Sequence, residues 1–129
     1  MSAKEIVIAF YGWRFSKDWR YDVNRSVVDG LCRDLAAQYG AFEIRLVWRW
    51  EDEPVLEVAG YGDLLNIVRL RSADDGVGNL CLGHVIGASR GCDLLEDIKR
   101  GISRLAFAPE TIEPEGSSKV VCHNCGCGC

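Results

Sequence analysis

Four of the seven cysteines in this 129-residue chain fall within its last eight positions, as Cys122, Cys125, Cys127 and Cys129. The segment from Val120 reads Val-Val-Cys-His-Asn-Cys-Gly-Cys-Gly-Cys, and it also holds His123, one of only two histidines. Deprotonated thiols are both nucleophiles and soft metal ligands. Gly126 and Gly128 separate the last three of them, which frees the backbone for positive φ and reduces crowding around each carbonyl. Two chemistries suit that arrangement. One is covalent modification of the cysteines or the adjoining backbone. The other is capture of a soft ion (Zn, Cu or Fe) by the four thiolates, with His123 as a possible additional ligand.

The layout of a long front portion, a Pro/Glu/Gly/Ser stretch and a compact cysteine-rich end resembles the precursors of ribosomally synthesised, post-translationally modified peptides. That resemblance implies a front portion bound by a modifying enzyme and a terminal core peptide altered by it. The front portion departs from the family's pattern, because leaders are usually short and often helical. A narrower resemblance covers Val120–Cys127: Val-Val-Cys-x-x-Cys-x-Cys is similar to the metal-claw motif of nitrile hydratase alpha subunits. It implies that Cys122, Cys125 and Cys127 bind one metal. The closing Cys-Gly-Cys also looks like the doubly prenylated end of Rab-type small GTPases, but the chain has no Gly-x-x-x-x-Gly-Lys-Ser/Thr phosphate loop to go with it.

The composition supports this division of labour. Nearly half the residues are apolar and 26% are charged, as in an ordinary globular domain. A chain of this length buries a core without disulfides or metals, so the cysteines are released for chemistry. The formal charge of −4 argues against a nucleic-acid partner. Arg45, Arg49, Arg69 and Arg71 suggest a local basic stripe, yet Glu43, Glu51, Asp52, Glu53 and Glu57 lie among them, which reads as a mixed, solvated sheet face. Ile6–Tyr11 is too short for a secretory signal, and no run approaches the ~20 apolar residues of a membrane span. The expectation is a cytoplasmic protein with reduced thiols and no membrane association.

The elements that must position the tail follow from periodicity. Ile6–Tyr11 is apolar on both faces, as in a central strand. Between Asp18 and Gly40, apolar residues at 23, 27, 31, 35 and 39 mark an amphipathic helix, with Gly40 as its left-handed stop. Phe42–Trp50 alternates as a strand, Glu51–Pro54 breaks it, and Val55–Ala59 returns. Leu64–Arg71 fits a strand or two helical turns, with strand favoured by the turn residues at 73–76, which lead into a strand over Asn79–Ile86. Asp93 with Glu96 resembles a capping box for a last helix bearing Leu94, Leu95, Ile98, Ile102 and Leu105. The fold class predicted is α+β, a two-layer sandwich of a mostly antiparallel sheet with two helices on one face and a flexible C-terminal tail. The domain occupies 1–107, a linker 108–121 and the cysteine-rich peptide 122–129. The linker spans up to about 45 Å beside a domain of radius ~14 Å.

Other residues invite chemistry less strongly. Cys92, in Gly87–Asp93, would sit at a helix N-terminus with Arg90 nearby, an anion site or reactive thiol if not simply a connection. His84 and Cys81, three apart in a strand, would point to opposite faces and form no dyad. Cys32 reads as core packing. Trp13 and Trp19 flank the entry to the first helix and would contribute to an aromatic docking patch or pack at the rim of the core. The reading is a non-enzymatic domain that presents Cys122–Cys129 to a modifying enzyme. The alternative is a soft-metal-binding or metal-delivery protein served by a metal-handling partner, with a thiol enzyme centred on Cys92 further behind.

Overall fold

The computed structural model of the chain describes residues 4–16 and 18–112. Strand β1 (Lys4–Phe15) is the spine of a four-stranded sheet. Helix α1 (Arg25–Gly40) leads to β2 (Ile44–Val58), helix α2 (Tyr61–Ile67) runs straight into β3 (Val68–Ser72), and a 3-10 turn (Ala73–Asp75) leads to β4 (Val77–Cys81). Short helix α3 (Leu82–Ile86) and long helix α4 (Leu94–Phe107) complete the order. The strands are arranged β2-β1-β3-β4.

The α+β class is as the sequence predicts, but the sheet is mixed rather than mostly antiparallel. β1 pairs parallel with β2 and antiparallel with β3, and β3 pairs antiparallel with β4. The parallel pair arises because α1 is a crossover that carries the chain back to the starting end of β1. There are also four α-helices among the described residues rather than two.

The two extra helices overlap segments that read as strands. In Leu64–Arg71 the helix holds to Ile67 and the strand begins at Val68; Asp63 fastens the helix start by accepting the Ala59 amide at 3.0 Å. In Asn79–Ile86 the strand stops at Cys81, whose sulfur caps α3 by accepting the His84 amide at 3.4 Å. Cys81 and His84 are therefore neighbours through a helix cap, not residues on opposite faces of a strand.

The boundaries of α1 also differ from the periodic stripe. It begins after Asn24, whose side chain accepts the Val27 amide at 3.2 Å, as a good N-cap does. The left-handed residue after the helix is Glu43 (φ 59°), not Gly40. Asp93 caps α4 through the Glu96 amide, as predicted.

The break at Glu51–Pro54 is real in the pairing although β2 continues through it. Trp50 faces Phe10 and Val55 faces Gly12, so four residues of β2 stand opposite Tyr11 alone. Gly12 is required there, since a Cβ would strike the Asp52 carbonyl oxygen.

α1 and α4 cover one face of the sheet. Phe10 stacks on Trp50 at 4.2 Å, and the Trp50 indole donates to Asp29 of α1 at 2.8 Å. Gly101 of α4 lies over Leu70, whose partner across the ladder is Ile8. Ile8 and Phe10 are two apart on β1 and point the same way. Ile6, Ile8, Leu70, Ile98, Ile102 and Leu105 are fully buried between the layers.

The core reaches beyond Phe107. Pro109–Thr111 form a 3-10 turn, Arg104 donates to both the Thr111 hydroxyl (2.9 Å) and its carbonyl (2.7 Å), and Ile112 is buried. Five residues that read as linker thus pack on the domain. The rest of the linker and the cysteine-rich peptide lie outside the described residues. Among those described, no helix is long and apolar enough to cross a membrane.

Candidate functional site

On the sheet face opposite α1 and α4, the register gathers four arginines. Glu5 faces Arg45 and Ala9 faces Arg49 across the β1–β2 ladder; Val7 faces Arg71 and Ala9 faces Arg69 across β1–β3. Paired residues share a face, so the four cations flank a narrow strip of Val7, Ala9 and Val47.

The β3 arginines are locked into the fold. Arg69 is fully buried, lies 5.2 Å from the centre of the Tyr11 ring, and donates to the Asn66 carbonyl at 3.0 Å and to the Asn66 side chain. Arg71 grips Glu51 in a two-pronged pair, both contacts 2.9 Å, and donates to Asn79, which in turn donates to Tyr11 at 2.9 Å. Hydrogen bonds from Arg71 hold the Glu51 carboxyl below its ordinary range, and the same bonds raise Arg71. Arg45 and Arg49 on β2 are exposed. The stripe is thus half buried framework and half open cation, a division that strand spacing alone does not reveal.

Trp13 and Trp19 are both half-buried and pack on different partners. Trp13 lies 6.2 Å from Trp50, and the Arg25 guanidinium sits over both rings at 5.5 and 4.7 Å while pairing with Asp52 at 3.2 Å. Trp19 stacks on Tyr21 at 6.0 Å and meets Phe15 edge-on.

Arg90 is exposed and Cys92 half-buried in the loop before α4, and Cys92 has a positive φ of 52°. Three of the backbone donors there are already committed. The Cys92 amide donates to the Ser89 hydroxyl (2.9 Å), the Leu94 amide to the Tyr21 hydroxyl (2.9 Å) and the Glu96 amide to Asp93. Beneath them Asp97, only 2% exposed, accepts from Tyr61 (2.5 Å), Ser89 (2.6 Å) and Arg100 (3.3 Å). Burial, then Asp97, raises the Tyr61 phenol. Ser89 donates to a carboxylate that is fully engaged, so this cluster is a strut for the loop rather than a nucleophile with its base.

Cys32 and Cys81 are both buried. Burial, with Asp29 adding to it, pushes the Cys32 thiol up to about 12. Among the described residues no group of three or more His, Cys, Asp or Glu side chains is placed to hold a metal. Cys122, Cys125, Cys127, Cys129 and His123 lie outside the described residues. No protein family, curated protein or solved structure matches this chain. Its function must therefore be argued from its own residues.

Proposed function

We propose that residues 4–112 form a non-enzymatic carrier that delivers Cys122–Cys129 to a partner enzyme for covalent modification. The observation that supports this most is that the described residues already close a core: among them the buried apolar residues run from Ile6 to Ile112, and nine residues separate Ile112 from Cys122. The cysteine cluster is not needed to build that core. Cys32 and Cys81 are shut inside it, which leaves the terminal cluster as the main store of sulfur for chemistry. The Ser89–Asp97–Tyr61 cluster is arranged to hold the loop before α4.

The test is co-expression of the full chain with the enzymes encoded beside its gene, followed by tandem mass spectrometry of the terminal peptide. The expected result is loss of one water per modified cysteine, or of water and two hydrogens, confined to positions 122–129. The isolated peptide Val120–Cys129 should be modified far more slowly. Equal rates for peptide and full chain would remove the carrier role. An unmodified peptide that instead binds a soft ion with proton release, in a manner abolished by serine at all four positions, would establish the metal-delivery alternative.

A further inference from the structure

We propose that the outer edge of β2, from Ile44 to Trp50, is a docking edge for an extended, acidic strand of the modifying enzyme, an inference that rests on the carrier reading above. Among the described residues β2 is an edge strand of the sheet, so alternate residues direct N–H and C=O groups away from β1 with no described strand to receive them. The two halves of β2 treat that edge differently. From Glu51 onward the strand carries a four-residue irregularity and Pro54, devices that discourage pairing. From Ile44 to Trp50 the ladder is regular and contains no proline.

The side chains along that regular half specify the occupant. Arg45 and Arg49 project on the open face, both exposed. Arg45 meets Glu5 only at 3.8 Å, with both side chains more than half exposed, a contact worth little. Trp48, half-buried, and Leu46 project on the other face. A strand laid along this edge would place every second side chain beside an arginine and the alternate ones beside Leu46 and Trp48. An incoming segment of alternating acidic and apolar residues satisfies both rows. A second copy of this chain does not: antiparallel pairing about Val47 sets Arg45 of one copy against Arg49 of the other. The same two cations therefore admit an acidic partner and repel self-association.

The probe is a synthetic ten-residue peptide of alternating glutamate and valine, titrated against the full chain. Binding should weaken at least tenfold with Arg45→Glu and Arg49→Glu together, and persist with Arg45→Lys and Arg49→Lys. It should vanish when alternate peptide nitrogens are methylated, which blocks ladder bonds without changing charge. A lysine–valine peptide that binds equally well, or indifference to the double glutamate variant, would overturn the proposal. In the co-expression assay, native modification in the wild type and in the double glutamate variant alike would sink the docking edge and leave the carrier reading standing. An unmodified wild type would count against the carrier reading, while the peptide titration would still judge the edge. The thermal transition of the variant, whose two substituted side chains are exposed, serves as the folding control.

Discussion

The Tyr61 hydroxyl donates to the Asp97 carboxylate at 2.5 Å, joining the short helix α2 to the long helix α4 across 36 positions of chain. Ser89 and Arg100 share the same carboxylate, so one buried acid fixes two helices and the loop between α3 and α4. Replacing Asp97 with alanine strands the Tyr61 and Ser89 hydroxyls and removes the acid that pairs with Arg100, which should cost about 3 kcal/mol. Tyr61→Phe, which removes one donor and leaves the acid its other two, should cost about 1 kcal/mol. Chemical denaturation of the two variants measures both. Equal and negligible losses would show that the loop does not depend on this acid.

Cys32 and Cys81 should resist alkylation in the native state. Both are fully buried, and the raised Cys32 pKa leaves almost no thiolate at pH 8. Mass-resolved labelling of the folded chain should leave both unmodified while denaturant exposes them. The sign of the linkage follows: the unfolded thiol loses its proton near pH ~8.5, the folded one only at about 12. Its contribution to stability is complete below that unfolded value and fades as pH rises toward the folded one.

Glu51→Gln should destabilise the protein at neutral pH, by up to ~1 kcal/mol for a partly exposed pair. The folded Glu51 carboxyl titrates below its unfolded value because Arg71 donates to it. Its stabilisation is therefore present above ~4.3 and is lost as pH falls through the folded pKa. Melting curves of wild type and variant should differ at pH 7 and converge in acid. A constant gap would assign the effect to packing.

Gly12→Ala should be among the most damaging single-atom additions available. The new Cβ meets the Asp52 carbonyl oxygen, a backbone group that cannot rotate away. The expected loss is about 2–3 kcal/mol. Gly101→Ala makes a useful comparison, because its Cβ meets the end of the Leu82 side chain, which can shift, and alanine favours the helix. Its loss should be visibly smaller.

Removal after Phe107 should lower the thermal transition by roughly 5–10 °C relative to a chain cut after Ile112. The shorter form forfeits the buried Ile112 and both Arg104 bonds to Thr111. Equal melting temperatures would show that Pro109–Ile112 contribute nothing.

The strongest periodic signals in the sequence correspond to real elements, and their limits show where local reading stops. Asp93 and Glu96 mark the start of α4 because capping is a contact between near neighbours in the chain. The parallel pairing of β1 with β2 is a tertiary fact that no local pattern encodes, and the antiparallel expectation missed it for that reason. Leu64–Arg71 was ambiguous because its apolar spacing satisfies both periods, and the structure uses both in succession. Ala108–Ile112 has the composition of a linker, yet Arg104 and the core draw it in. On the candidate site, alternation puts Arg69 and Arg71 on one face of a strand. Only the three-dimensional neighbours (Tyr11, Asn66, Glu51 and Asn79) separate these fixed cations from the open Arg45 and Arg49.

The central position of β1 imposes an order on synthesis. This strand leaves the ribosome before both of its ladder partners, which lie some 40 and 60 positions downstream at β2 and β3. At ordinary elongation rates the interval from Lys4 to Ile44 lasts roughly 2–8 s. Throughout it, Ile6, Ile8, Phe10 and Tyr11 have no strand to pair with, and α4 is not yet made to cover them. The nascent chain therefore carries an unpaired apolar strand for seconds, a ready target for a chaperone. Cys122–Cys129 are translated after the buried residues Ile6–Ile112 have been added.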